Sequence, residues 1–282
     1  METLYAIMET LLPFEWLSYT FMKNALLAML LISPLFGLLG TMAVDNKMAF
    51  FSDALGHSAL TGIAIGVVLG WENQMAAMLL FGILWAVLIT FVKHHSKMSA
   101  DTIISVFSST SIALGLVVLS RGGTFAKYSS VLVGDVLSIT QSDLWLMGML
   151  TALTFLFFNR CLDAIILVAY DRDFARTQRL PVRTLETVMT ALMALTIVGS
   201  LHMVGIVLVV SLLSVPQMTA ALFARTFRGI LLLSALIGYA GCLGGLWLSY
   251  AANVPSGAAI ILCAIAIYFL ARAIKWLQKR FS

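Results

Sequence analysis

Charged residues are scarce in this sequence. Only 11% of the 282 residues are Asp, Glu, Lys or Arg, whereas 61% are hydrophobic and the mean hydropathy is +1.01. Typical soluble domains contain about 25% charged residues. The composition therefore excludes a soluble domain and indicates a chain that folds in a lipid bilayer. The net charge is +4, but no basic cluster carries the interleaved aromatic residues of a nucleic-acid-binding surface. We therefore expect no nucleic-acid partner.

Cysteine is also rare, and the signatures of several enzyme classes are missing. The three cysteines, Cys161, Cys242 and Cys263, are far apart, which excludes a disulfide framework and a CxxC metal site. No Gly-Lys dipeptide occurs, so the chain has no GxxxxGK[ST] loop with which to bind ATP. A nucleophile elbow and an HExxH zinc motif are absent as well. The sequence predicts a protein that is not an enzyme and has no permanent cofactor.

Long apolar segments fill most of the chain. A helix that crosses a bilayer needs about 20 mostly apolar residues, and polar breaks divide the sequence into nine such segments. The fold class predicted is an all-α, polytopic membrane protein with one permease domain over residues 1–282. The spans are expected near 24–43, 54–70, 75–92, 102–120, 142–159, 185–200, 203–222, 229–251 and 256–278.

The distribution of basic residues predicts the orientation of the chain. Cytoplasmic loops of membrane proteins are enriched in Lys and Arg. In a nine-span arrangement all but Lys23, Arg121 and Lys127 of the 17 basic residues fall on one side. That side is expected to be the cytoplasm, with the N-terminus outside and the C-terminus inside.

Three segments outside the spans have a predicted role. Residues 1–20 mix acidic, apolar and aromatic side chains, which suits a short helix in the membrane interface, with no cleaved leader. Residues 121–141, on the outer side, include an apolar stretch typical of a partial helix. Residues 160–183, on the inner side, contain mixed charges that favour a short exposed helix ending before Pro181.

One pair of ionisable residues stands inside the second span. Asp53 and His57 are four residues apart, so both side chains lie on one helix face, with Thr61 one turn further. Counted from Asn46, His57 is about 16 Å along a helix, near the middle of a hydrocarbon core about 30 Å thick. Ionisable groups at that depth are costly and indicate function.

Two explanations of this pair remain open from the residues alone. The first is a hydrogen-bonded or ionic pair that fixes helix packing. The second is a site for a divalent metal ion, because imidazole and carboxylate suit zinc, and carboxylate suits manganese.

Other residues in the spans have simpler interpretations. Gly62, Gly66 and Gly70 follow one another at every fourth position, a spacing typical of close helix packing. Pro216 is expected to kink the seventh span, with Ser211 and Ser214 nearby to satisfy freed backbone groups.

The remaining histidines lie in predicted loops. His202, in an outer hairpin, is either a solvated loop residue or part of a metal entry path. His94 and His95, in the inner loop, are expected to be solvated.

Five segments together resemble a known family, the membrane permease subunit of bacterial ABC-type zinc and manganese importers. The resemblance extends from about Asn24 to about Phe269, and the segments that carry it read FFSDALGHSALTGIAIG, DTIISVFSSTSIALGLVV, YDRDFARTQRLPVR, VGIVLVVSLLSVPQMTAALFAR and NVPSGAAIILC. The most specific part is SDALGHSAL, because a buried Asp and His at this spacing are typical of that family. The resemblance implies a multi-pass protein of the bacterial plasma membrane.

The resemblance also implies partners and residue roles. The expected partners are a cytoplasmic ATP-binding subunit, a second permease subunit and an extracytoplasmic metal-binding protein. ATP would bind to the partner, and the transported ion would be Zn²⁺ or Mn²⁺, with a slight preference for zinc. Asp53 and His57 match positions that line the metal path. A cytoplasmic helix that couples to the ATPase matches Asp171, Arg172, Asp173, Phe174, Arg176 and Arg179.

Other functions are compatible with the same pattern. An ion-gradient-driven secondary transporter would also use an intramembrane Asp/His pair. A permease for a metal chelate shares the general architecture, whereas an intramembrane enzyme is disfavoured because no catalytic motif accompanies the pair.

Overall fold

The computed structural model describes residues 18–122, 134 and 136–281, together with Tyr5 and Met8. Within these residues the secondary structure is helical, with no strand. Most of the predicted interfacial helix at 1–20 and most of the predicted partial helix at 121–141 lie outside the described residues. Of the latter, a short 3₁₀ turn at Val136–Ser138 is described.

Ten helices follow one another along the described chain. They are α1 (Thr20–Asp45), α2 (Phe51–Val68), α3 (Gln74–His95), α4 (Ala100–Gly122), α5 (Gln141–Tyr170), α6 (Arg172–Thr177), α7 (Val182–Val204), α8 (Ile206–Ala220), α9 (Phe227–Ala252) and α10 (Ser256–Phe281). Eight of them are long and apolar enough to cross a membrane. The remaining predicted span, the seventh at 203–222, corresponds to α8, which is apolar but has only 15 residues. The all-α, polytopic fold is thus confirmed.

Two helix boundaries differ from the predicted ones. Helix α5 continues from Gln141 to Tyr170, 30 residues in all, so that residues 160–170 are helical rather than part of a loop. Helix α7 extends to Val204, and a single residue, Gly205, separates it from α8. Gly205 has a φ of +78°, which glycine adopts without steric cost. The chain therefore turns at Gly205, and His202 lies within α7 instead of in a hairpin loop.

The chain divides into two compact units. One comprises residues 1–41, 133–149 and 203–282, and the other comprises residues 42–132 and 150–202. The first unit thus contains most of α1 with α8, α9 and α10. The second unit contains α2, α3, α4, α6 and most of α5 and α7, and it carries both Asp53 and His57.

Close helix contacts in the second unit centre on α2. A Cβ atom added to Gly62 would lie 2.8 Å from Cβ of Phe81, and one added to Gly66 would lie 2.6 Å from Cβ of Ala77. Both glycines therefore let α3 approach α2 closely. Gly70 does not share this role, contrary to the sequence-based expectation: it lies beyond the end of α2 with a φ of +73° and no neighbour within 4 Å of its added Cβ.

Close contacts of the same kind hold the first unit together. The hydroxyl of Ser33 in α1 donates to the carbonyl of Ala235 in α9 over 3.0 Å. A Cβ on Gly40 would overlap the carbonyl oxygen of Leu213 in α8, and one on Gly245 would overlap the backbone of Ile260 in α10. These helices can pack at these separations only because a side chain is missing at each crossing.

Gly40→Ala tests the crossing of α1 and α8. The added methyl group meets backbone, which cannot rotate away, so we expect a loss of about 1–3 kcal/mol of stability. Gly148→Ala is the matched control, because its added Cβ has no neighbour within 4 Å. The amount of folded protein remaining after heating in detergent, followed by size-exclusion chromatography, should fall for the first variant only. Equal thermal stability of the two variants would contradict the packing.

Candidate functional site

Asp53 and His57 form a partly open pair on α2. Nε2 of His57 lies 3.7 Å from Oδ1 of Asp53, and the two side chains are 28% and 44% exposed, respectively. Their neighbours Ala54, Leu55 and Ser58 are buried. The four-residue spacing therefore does place imidazole and carboxylate side by side, and their exposure leaves space for an ion to contact both.

The position of the pair along α2 corrects one estimate. The depth of His57 was counted as helical rise from Asn46, but residues 46–50 form a turn and α2 begins at Phe51. Only six residues of helix, about 9 Å, precede His57. Asp53 lies in the first turn of α2, where a carboxylate interacts favourably with the helix dipole. The pair thus occupies the first half of this helix.

Among the described residues, no further His, Cys, Asp or Glu side chain joins the pair in an arrangement that could hold a metal ion. Among them no group of three or more His, Cys, Asp and Glu side chains is arranged to hold a metal ion. Thr61 does not extend the set, because its hydroxyl donates to the carbonyl of Ser111 in α4 over 2.6 Å. His202 is exposed in the last turn of α7 and forms no such group with Asp53 and His57.

Pro216 lies inside α8, and the neighbouring serines do not act as predicted. The hydroxyl of Ser214 donates to the carbonyl of Val210, which is an ordinary bond within the helix. The hydroxyl of Ser211 is buried and has no hydrogen-bond partner among the described residues. Neither serine donates to the carbonyl of Leu212, the group left free by the missing N–H of Pro216.

Helix α6 is a short, capped element between α5 and α7. The carboxylate of Asp171 accepts hydrogen bonds from the backbone N–H groups of Asp173 and Phe174, at 3.1 and 2.9 Å. At the other end Arg179 has a φ of +58°, and the N–H of Leu180 donates to the carbonyl of Ala175. Local hydrogen bonds therefore define both ends of a helix of only six residues.

The two faces of α6 differ in chemistry. Ala175 is fully buried against Val168 of α5 and Val182 of α7. On the opposite face Phe174 is 49% exposed, and Asp173 and Arg176 form an exposed ion pair at 3.2 Å. The segment predicted for coupling thus presents Phe174 and charged side chains outward, while the apolar contact of Ala175 holds it in place.

A charged junction that was not predicted from the sequence lies beside α6. Glu186 of α7 is only 4% exposed; one of its oxygens accepts a hydrogen bond from Arg172, and the other lies 3.2 Å from Nε2 of His94. His94 is 12% exposed and not solvated, contrary to expectation. The available signal was a lone glutamate inside an otherwise apolar span, which is costly without partners.

Comparisons with known proteins address the whole chain. The model of the ABC 3 transport family matches residues 18–275. The chain belongs to the ABC 3 transport family. Because the match includes both α2 and α6, this ABC 3 permease has its Asp/His pair and its exposed short helix within the family's own region. It is a multi-pass permease subunit of the plasma membrane.

Individual relatives are similar over nearly their full length. The manganese import system permease protein ScaB of Streptococcus gordonii is 27% identical, with 93% of this chain and 95% of that protein covered. The manganese transport system membrane protein MntC of Halalkalibacterium halodurans is 31% identical, with 91% and 88% covered. Among solved structures, PsaBC from Streptococcus pneumoniae in complex with Fab matches with a TM-score of 0.77 at 25% identity, covering 96% of this ABC 3 permease and 95% of that chain.

Asp171→Ala tests the N-terminal cap of α6. Loss of a capping side chain typically costs about 1 kcal/mol, whereas Asn caps as well as Asp. We expect faster amide exchange at residues 173–177 in Asp171→Ala but not in the matched control Asp171→Asn, measured by hydrogen–deuterium exchange of the purified protein. Equal exchange in the two variants would refute the capping role.

Proposed function

We propose that this ABC 3 permease is the transmembrane subunit of an ATP-driven importer that carries a first-row divalent metal ion into the cytoplasm. The observation that supports this most is the Asp53/His57 pair in α2, with 3.7 Å between its nitrogen and oxygen and both side chains partly exposed. Relatives named as manganese permeases support the same class of cargo.

The chemistry of the pair suits transient binding. A neutral imidazole and an ionised carboxylate are ligands for both manganese and zinc. Two side chains form an incomplete coordination shell, so water or a neighbouring group would complete it. An ion held in this way is released more easily than one in a closed structural site, as transport requires.

The cargo is manganese or zinc. The slight preference for zinc does not rest on the residue types, because imidazole and carboxylate serve both ions. The names of ScaB and MntC instead favour manganese, and we adopt manganese as the first candidate. His202, exposed at the end of α7, is a further candidate contact on the entry path.

The proposed assembly has several components in and beside the lipid bilayer. A second copy of the chain completes the pore, each copy binds a cytoplasmic ATP-binding subunit, and an extracytoplasmic protein delivers the metal. The N-terminus lies outside and the C-terminus inside, in agreement with the distribution of basic residues. Helix α6 then lies at the cytoplasmic side, where its exposed Phe174, Asp173 and Arg176 dock to the ATPase.

Alternating access links these components. ATP binding and hydrolysis in the partner move α6, and the spans open the Asp53/His57 pair first outward and then inward. Acidification opposes loading, because a protonated imidazole cannot bind a cation. The whole chain, residues 1–282, acts as one permease domain in this mechanism, with residues 160–183 as its coupling segment.

Replacement of both Asp53 and His57 by Ala should abolish metal uptake by proteoliposomes that contain the permease and its ATPase, since both ligands are then lost. His95→Ala is the matched control, because His95 is an exposed histidine outside the proposed path. Each variant must still bind the ATPase. Normal uptake by the double variant would eliminate the pair as the transport site, and uptake without any ATPase would favour a secondary carrier.

A competition experiment identifies the ion. The same proteoliposomes receive radioactive Mn²⁺ with increasing unlabelled Zn²⁺, and then the reverse. We expect manganese to enter and zinc to inhibit, because the ligands accept both ions. Uptake of zinc without uptake of manganese would overturn the choice of manganese, and uptake of a metal chelate in place of the free ions would assign the chain to chelate transport.

A further inference from the structure

Glu186 is a buried carboxylate near the start of α7. Its side chain is only 4% exposed, and a carboxylate removed from water is stable only when it is paired and hydrogen-bonded. Oε1 accepts a hydrogen bond from the guanidinium of Arg172, the first residue of α6. Glu186 therefore connects α7 directly to α6.

The second oxygen of Glu186 faces a different helix. Oε2 lies 3.2 Å from Nε2 of His94, which is in the last turn of α3. Lys93 and Arg183 add positive charge around His94. A single carboxylate thus contacts groups from two elements, α6 and α3, in addition to its own helix.

The apolar contacts of α6 do not provide the same connection. Ala175 packs against Val168 and Val182, which belong to α5 and α7. The link from α6 to α3 runs through Glu186 and its partners Arg172 and His94. A displacement of α6 that moves Arg172 is therefore passed to α3 through Glu186 and His94.

Helix α3 in turn contacts the helix that carries the Asp/His pair. Phe81 and Ala77 of α3 lie against Gly62 and Gly66 of α2, with no room for an additional methyl group. Such tightly packed helices transmit displacement because their contacts cannot be compressed. A continuous path of contacts therefore leads from α6 through Glu186 and α3 to α2.

We infer that Glu186 is a positioning residue that joins movement of α6 to movement of α3, and through α3 to the Asp53/His57 pair of α2. This inference rests on the proposed function, in which an ATPase subunit docks on α6. It assigns to Glu186, Arg172 and His94 a role in converting ATP hydrolysis into transport. None of the three needs to touch the metal ion.

Glu186→Gln is the principal test, because glutamine has the same shape and lacks the charge. The complex of permease and ATPase is reconstituted in proteoliposomes. The measured quantity is the ratio of Mn²⁺ taken up to phosphate released. We expect ATP hydrolysis to continue. The number of Mn²⁺ ions taken up per ATP hydrolysed should fall about 2-fold to 30-fold, which is the effect that mutations along a coupling path typically have. Glu72→Gln, the same change at an exposed glutamate between α2 and α3, is the matched control and should keep the normal ratio.

His94→Gln examines the other side of the junction and does not depend on the behaviour of Glu186→Gln. It should lower the same ratio, and the double variant should be little worse than the more impaired single variant, because both changes break one network. A merely structural role would reduce assembly, hydrolysis and uptake together and leave the ratio unchanged.

An unchanged ratio in both single variants would overturn the inference while leaving the proposed function intact. Absence of ATP-driven uptake by the unmodified complex would overturn the proposed function, and this inference with it.

Discussion

Close approach between helices is the constraint on which this structure depends. In a bilayer, moving an apolar side chain from lipid into a contact with another helix brings no hydrophobic gain. Helices therefore associate through van der Waals contact and hydrogen bonds. Gly40 and Gly245 in one unit, and Gly62 and Gly66 in the other, allow backbones to meet where a methyl group would collide. The same proximity lets the hydroxyl of Thr61 reach a carbonyl of a neighbouring helix. The close approach of the helices thus accounts both for the packing at these glycines and for this polar contact.

Two sets of ionisable residues differ in how they are accommodated among apolar helices. Asp53 and His57 are partly exposed and contact each other loosely, so their ligand atoms remain available to an ion. Glu186 is buried, with one oxygen hydrogen-bonded to Arg172 and the other 3.2 Å from Nε2 of His94, so its carboxylate is held between side chains of two other helices. The first arrangement suits exchange, and the second suits the transfer of force between helices. Helix α3 connects the two sets, because it carries His94 and packs against Gly62 and Gly66 of α2, the helix that carries Asp53 and His57.

The sequence was sufficient for features that depend on local periodicity or hydropathy. Long apolar segments predicted the spans, and the four-residue spacing placed Asp53 beside His57. Hydropathy marks where a chain leaves lipid and not where a helix ends, so the continuation of α5 through Arg160 and Asp163 was not predicted. The junction at Glu186 requires partners from distant parts of the chain, which no local pattern contains. Gly70 fits the spacing of a packing glycine, but the helix stops before it.

The length of α5 has a consequence for how a soluble protein can reach this permease. Thirty residues of helix measure about 45 Å, whereas the hydrocarbon core is about 30 Å thick. In the proposed assembly, with Gln141 at the outer boundary of the core, the surplus would extend the end of α5, and α6 with it, beyond the inner boundary of the core even with a moderate tilt. A water-soluble partner can then engage α6 without stripping water from phosphates or inserting into the interface. In the proposed assembly, the extra length of α5 would thus separate the docking site on α6 from the lipid.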